Sequence, residues 1–263
     1  MNMFDLTGHV ALVAGGTRGI GRAIAEQYVA QGGRVIVASR DEEASREAAR
    51  EIEEAHGKDR ARGLFFELAD AASLDRLVDA AAACWGGLDT LVGNSFLGVA
   101  GPAAAIADDM FVQVLKINVV HNSRLAYRAL PWLERSPHGS AVFIGSASGL
   151  APSPDMAAYG IAKRALHHMV QNLAVEWGPR GVRVNAVAPG MTRTSAVTTH
   201  FDDADLAQRA QAWPIPRIGQ PEEIAAACLF LAAPSGGFTT GHILVCDGGR
   251  TLLSGNTMSL DFS

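Results

Sequence analysis

The stretch Val10-Ala11-Leu12-Val13-Ala14-Gly15-Gly16-Thr17-Arg18-Gly19-Ile20-Gly21 decides how the rest of the chain is read. Its first five residues are all apolar, as in a strand covered on both faces, which is the habit of a parallel sheet between helix layers. Glycines follow, and a helical pattern runs from residue 19 to about 30. A glycine cluster alone marks only a turn. Between a strand and a helix it gains a use, because glycines let the backbone approach a pyrophosphate. The helix start adds free N–H groups and the positive end of its dipole. Gly15, Thr17, Arg18, Gly19, Ile20 and Gly21 are therefore candidate dinucleotide contacts, in a Gly-xxx-Gly-x-Gly spacing.

The same alternation continues along the chain. Strands are expected at residues 34–38, 64–66, 89–93, 141–144, 182–187 and 243–246. Helices are expected at residues 41–55, 73–84, 111–133, 157–177 and 221–232. Strand-helix alternation at this spacing builds βαβ units and an α/β doubly wound parallel sheet flanked by helices. No linker, repeat or composition shift divides residues 1–263, which read as a single domain.

Composition excludes several function classes. Lys and Arg total 22 against 27 Asp and Glu, for a net charge of −5. That balance leaves no basic surface to track phosphates, so no nucleic-acid partner is expected. The longest uncharged stretch, residues 90–107, contains Gly93, Asn94, Ser95, Gly98, Gly101 and Pro102, a poor membrane span. Asp5 and the lack of a basic region before a long apolar run give no signal-peptide pattern. Cys84, Cys228 and Cys246 share no metal-type spacing, and the eight histidines are scattered. A cytoplasmic protein with no metal site and no membrane partner is the expectation.

Cofactor choice in such sheets is made just beyond the second strand, where an acidic residue takes a ribose 2′-OH and an arginine takes a 2′-phosphate. Here Ala38-Ser39-Arg40 ends the strand, and Arg18 lies in the glycine turn. Two guanidiniums with the Ser39 hydroxyl favour NADP(H), with NAD(H) still possible. Asp41 lies two residues past the acidic position and is expected to open the next helix.

Tyr159 and Lys163 stand four apart on a predicted helix and share a face. With only three tyrosines and three lysines in the chain, such a pair is seldom accidental. Ser146 lies thirteen residues before Tyr159, just after a predicted strand, where strand ends line the site. A buried ammonium beside the phenol is expected to stabilise phenolate and bring its pKa toward working pH, as a general acid/base requires.

With these residues in place, the chain resembles a classical short-chain dehydrogenase/reductase. The likeness spans residues 6–250. It rests on the glycine turn, Lys116-Ile117-Asn118-Val119, Ile144-Gly145-Ser146-Ala147-Ser148 and Tyr159-Gly160-Ile161-Ala162-Lys163. It continues with Asn185-Ala186-Val187-Ala188-Pro189-Gly190-Met191-Thr192-Arg193-Thr194, the motif at residues 217–225, and Asp247-Gly248-Gly249. The resemblance implies a Rossmann-type fold and four catalytic residues, Asn118, Ser146, Tyr159 and Lys163. Tyr159 would exchange a proton with a carbonyl or alcohol oxygen, and Ser146 would hydrogen-bond that oxygen. Lys163 would bind the nicotinamide ribose, and Asn118 would hold a water in a proton relay. Pro189, Gly190, Thr192 and Thr194 would line the nicotinamide. Leu68 and Asn94 would lie on the adenosine side. It further implies a small-molecule carbonyl or alcohol substrate and a homodimer or homotetramer using paired long helices, the helix at residues 157–177 among them.

The chain also departs from the family pattern. Ala14 replaces the usual threonine before Gly15, and Gly93-Asn94-Ser95-Phe96 stands where the family has Asn-Asn-Ala-Gly. Glu67-Leu68-Ala69-Asp70 replaces an Asp-Val-Thr-Asp type of sequence. Residues 195–213 are expected to form a lid, with Phe201, Leu206 and Trp213 as a pocket wall or ordinary packing. Asp202-Asp203-Ala204-Asp205 is expected to be a solvated helix start. His121 is expected to be structural, and His167 and His168 to lie on a helix surface. The motif at residues 217–225 resembles the branch of 3-oxoacyl-thioester reductases. Alternative readings are an enoyl-thioester reductase, suggested by Gly255 and the tail, and a non-catalytic NADP(H)-binding regulator.

Overall fold

The structure is a computed structural model that describes residues 3–153 and 156–253. Gly255 lies outside the described residues. The first half runs β1 (Val10–Ala14), α1 (Gly19–Ala30), β2 (Arg34–Ser39), α2 (Glu42–His56), β3 (Ala61–Phe65), α3 (Ala71–Trp85) and β4 (Thr90–Gly93). The second half begins with α4 (Asp108–Leu115), a π-helical stretch (Lys116–His121), α5 (Asn122–Leu133), β5 (Ser140–Ile144) and α6 (Ala157–Trp177). It continues with β6 (Arg183–Pro189), α7 (Ser195–Thr198), α8 (Asp203–Ala210), α9 (Pro221–Ala232) and β7 (Ile243–Cys246).

Among the described residues the seven strands pair in parallel, in the order β3-β2-β1-β4-β5-β6-β7. The order reverses between β1 and β4, which opens a crevice at the carboxyl ends of the strands. Residues on β1 alternate between two cores, as the period of a strand requires. Val10, Leu12 and Ala14 pack with Leu74, Leu77, Leu125 and Trp177 on one face. Ala11 and Val13 pack with Ile24, Tyr28, Ile52 and Leu231 on the other. Each such large side chain, fully buried, is worth about 1.5–3 kcal/mol against exposure.

Two elements differ from expectation. The third strand is Ala61–Phe65 rather than residues 64–66, because Ala61 and Arg62 pair with Val35 and Ile36 of β2 despite their mixed polarity. The helices expected around residues 111–133 are α4 and α5, but a π-helical stretch joins them, with Asn118 inside the widened part. In the lid region, Phe201 and Trp213 pack against Leu206, Ala210 and Ile218. Asp202 and Asp205 close α8 in a reciprocal capping box, the solvated helix start expected.

Candidate active site

The glycine turn joins β1 to α1 at the sheet's reversal point. Gly15 has φ +87°, a left-handed conformation that favours glycine, and its N–H donates to the Ala38 carbonyl of β2 at 2.8 Å. An added Cβ on Gly21 would lie 2.0 Å from the Gly15 carbonyl oxygen, so the first turn of α1 packs onto the loop only as glycine. Asn94, at the end of β4, donates its Nδ2 to that same carbonyl at 2.7 Å. This contact braces the turn from the neighbouring strand, next to the buried Ala14. Arg18 occupies the N-cap position of α1 with its side chain exposed and no side-chain cap bond, and Arg40 is exposed beyond β2. Among the described residues neither guanidinium makes an ion pair, so both are free for an anion. The Ser39 hydroxyl is tied to Asp41 and Ser45. Asp41 accepts from the Ala44 N–H and caps α2, as expected. Glycine cradle, open helix start and two unpaired guanidiniums fit a dinucleotide phosphate chain.

Ser146, Tyr159 and Lys163 converge beside this crevice. Ser146 follows β5, and α6 carries Tyr159 and Lys163 one turn apart back across the strand end. The Ser146 hydroxyl interacts with the Tyr159 phenol and accepts the Ser148 N–H at 3.1 Å. Lys163, only 2% exposed, donates Nζ to the Ile144 carbonyl at 2.7 Å. Its amine lies 5.5 Å from the Tyr159 ring centre and 5.6 Å from that of Phe96. Phe96 stands edge-on to Tyr159 with ring centres 5.9 Å apart.

The expected lowering of the phenol is absent from this arrangement. Burial pushes Tyr159 up to about 12, against a smaller downward pull from the Ser146 hydrogen bond. Burial also brings Lys163 down to about 7. Desolvation wins at both groups because the lysine is directed at a main-chain carbonyl and, among the described residues, no carboxylate stabilises its charge.

Asn118 is fully buried in the π-helical stretch and donates Nδ2 to the carbonyls of Leu97 (2.7 Å) and Val114 (2.9 Å). A π segment shifts the helical ladder, a distortion common at functional sites. The carbonyls of Ile117 and Asn118 accept from Asn122 Nδ2 at 3.2 and 3.0 Å. Asn122 carried no motif signal; only the ladder shift reveals its work. His121 is buried and holds the Leu68 carbonyl through Nδ1, a structural role as expected. His168 is exposed as expected, but His167 is not a surface residue: it is 3% exposed and packs behind Ser146.

The departure at Gly93 has a steric cause. An added Cβ there would lie 2.5 Å from Phe143 Cδ1 and 2.9 Å from Asn122 Oδ1, so the Phe143 ring fills the space. Beyond β6, Thr192 is buried and donates Oγ1 to the Gly190 carbonyl at 3.2 Å. The Asp247 carboxylate accepts the N–H groups of Gly249 and Thr251, and its backbone packs where a Gly190 Cβ would sit. Thr194 precedes α7, and its Cγ2 lies 3.1 Å from where a Gly19 Cβ would sit.

Known proteins share this architecture. A family model described as enoyl-(acyl carrier protein) reductase matches residues 14–251. A tropinone reductase homologue of Arabidopsis thaliana is 32% identical over 256 residues, covering 95% of this chain and 94% of the relative. The 3beta-hydroxysteroid dehydrogenase 1 of Eggerthella lenta is 34% identical, covering 95% and 97%. Among solved structures, a Pseudomonas aeruginosa RhlG/NADP active-site complex superposes with TM-score 0.89 at 32% identity, covering 95% of this chain and 99% of that one. Sheet order and relatives together define an oxidoreductase of the carbonyl/alcohol class. Within that class, the chain belongs to the short-chain dehydrogenase/reductase family.

Proposed function

We propose that residues 1–263 form one domain that acts as an NADP(H)-dependent reductase of ketones, or dehydrogenase of the matching secondary alcohols, with Tyr159 as general acid/base. The observation that carries this reading is the meeting of Ser146, Tyr159 and Lys163 at the end of β5, beside the glycine turn. NADPH would be held by Gly15, Thr17, Arg18, Gly19, Ile20 and Gly21, with Ser39 and Arg40 at a 2′-phosphate. Leu68 and Asn94 would lie on the adenosine side, and Pro189, Gly190, Thr192 and Thr194 at the nicotinamide. Bound there, it supplies the hydride. Tyr159 delivers the proton to the carbonyl oxygen while Ser146 holds that oxygen. Lys163 would bind the ribose, and its ammonium, where charged, would favour the phenolate against the burial that raises it in the ligand-free protein. Asn118 supports a relay that returns the proton from solvent.

Relatives named for hydroxysteroids and tropinone make alicyclic ketones the first substrates to try, ahead of the 3-oxoacyl thioesters that residues 217–225 suggest. The description of the matching family model favours a second reading, enoyl-thioester reduction. The Tyr-xxx-Lys spacing argues against it, because enoyl reductases space this pair more widely. A cytoplasmic homodimer or homotetramer is part of the proposal. The test is titration with NADPH and NADH, followed by a panel of alicyclic ketones, 3-oxoacyl thioesters and 2-enoyl thioesters. Tighter NADPH binding with ketone turnover is expected. Turnover of enoyl thioesters alone would replace this reading with the second, and binding without any turnover would favour a regulator.

A further inference from the structure

Ser146 leaves β5 in an extended conformation, φ −167°. The neighbouring Gly145 N–H still reaches the Val187 carbonyl of β6 at 2.7 Å, but the Ser146 N–H has left the ladder. At 9% exposure such a donor needs a partner, since a buried unpaired N–H is costly. Its partner is the imidazole Nε2 of His167, at 3.4 Å. His167 follows Lys163 by four residues, so both project from one face of α6. The two side chains grip the main chain on either side of Gly145: Lys163 donates to the Ile144 carbonyl, and His167 accepts from the Ser146 N–H.

The sequence around Ser146 is shaped to admit this ring. An added Cβ on Gly145 would lie 2.2 Å from His167 Nε2, and one on Gly149 would lie 2.9 Å from Cε1. The glycines bounding Gly145-Ser146-Ala147-Ser148-Gly149 thus leave room for the imidazole under the turn. To accept a proton at Nε2 the ring must be neutral and carry its hydrogen on Nδ1. Burial, with Lys163 and Arg164 nearby, holds His167 down to about 4. Nδ1 is buried with no protein partner among the described residues, and the His167 side chain lines a groove of about 490 Å³ with Leu150, Arg164, His168 and Gln171.

We propose that His167 is a positioning residue: its neutral imidazole accepts the Ser146 N–H, sets the turn, and so aims the Ser146 hydroxyl at the Tyr159 phenol. At 3.4 Å the bond is a weak one, and what it supplies is direction rather than stability. The inference rests on the reading of Ser146 and Tyr159 as the catalytic pair.

The test begins with long-range proton–nitrogen spectra of histidine-labelled protein, assigned by comparison with His167→Gln. The wild-type ring should be the neutral Nδ1–H tautomer at about pH 6. An Nε2–H tautomer, or an imidazolium, at that pH overturns the proposal whether or not the protein turns over any substrate. Kinetics then separate positioning from packing. His167→Leu should bind NADPH within about twofold of wild type yet lose about tenfold or more in kcat, the scale of a misaligned hydrogen-bond donor. His167→Gln, whose carboxamide oxygen can accept the same N–H, should recover much of that loss. In a Ser146→Ala background, His167→Leu should add less than about twofold, because residues acting as a unit are not additive. Unchanged kcat in His167→Leu, no recovery with glutamine, or an equal loss without the Ser146 hydroxyl would each refute positioning. Absence of ketone turnover in the wild type would instead refute the proposed function, leaving the tautomer to decide the His167 bond.

Discussion

Lys163 holds the main-chain carbonyl of Ile144 through Nζ at 2.7 Å, so the one amine buried at the site is tied to the end of β5. This bond docks α6 onto the strand that presents Ser146. It also leaves the lysine in surroundings that disfavour its charge, since burial is the cause of its depressed pKa.

The ligand-free protein should therefore grow more stable as pH rises from 7 to 9. Lys163 titrates near 7 when folded against 10.5 ordinarily, so between those values the unfolded chain holds more protons. Stability then rises with pH, by at most about 1.4 kcal/mol per unit. Toward pH 9 and above the thiols act in the opposite direction, because there the folded state holds the extra protons: burial raises Cys228 from 9.0 to about 12 and also raises Cys84 and Cys246. Urea midpoints at three pH values across this window would show the slope, and Lys163→Met should flatten it. A wild-type midpoint that does not move contradicts the account.

Tyr159→Phe removes the phenol oxygen but keeps the ring that stands edge-on to Phe96. Turnover should fall by about 10²–10⁴, the usual contribution of a general acid/base. NADPH affinity should stay within about twofold, because the phenylalanine still fills the same space. Single-turnover kinetics with the best ketone make the measurement.

Arg40→Ala should weaken NADPH by about tenfold or more, as expected for loss of a charged hydrogen bond to phosphate. NADH binding should hardly change. Nicotinamide fluorescence titrations read both, and equal losses would mean that the exposed Arg40 contacts no 2′-phosphate.

Gly93→Ala tests the packing at the end of β4. The added Cβ would press on Phe143 and Asn122, at a cost of about 1–3 kcal/mol for overpacking. Combining it with Phe143→Leu should recover part of the loss, since the two positions share one space. Chemical denaturation of the two single variants and the double variant gives the coupling.

Assembly should run through the helices that leave apolar side chains exposed. Val112 and Val120, at 62% and 58% exposure, lie along the stretch from α4 to α5, and Val175 lies on α6 at 79%. A charge introduced by Val120→Glu or Val175→Glu should shift the protein toward monomer in sedimentation velocity. A wild-type monomer at micromolar concentration would end the homo-oligomer proposal.

Much of this molecule is written in local sequence. Apolar runs such as residues 10–14 can satisfy both faces only inside a covered parallel sheet, and their alternation with helical segments leads to a doubly wound fold. Tyr159 and Lys163 share a helix face because four residues are close to one turn, and the glycine turn is legible because it falls between a strand and a helix. These features depend on near neighbours along the chain. Others required the tertiary structure because they depend on what packs from afar. His167 reads as a surface residue, yet the glycines at 145 and 149 give its ring a place beneath Ser146. Gly93 reads as a defect until Phe143 of the next strand is seen to occupy its space. The phenol expected to be lowered by Lys163 is raised, because desolvation depends on the whole enclosure and the amine's bond to Ile144 on the docking of α6. Residue types and local spacing determined the fold and the candidate chemistry, whereas burial and long-range contact decided which groups carry charge and which hold others in place.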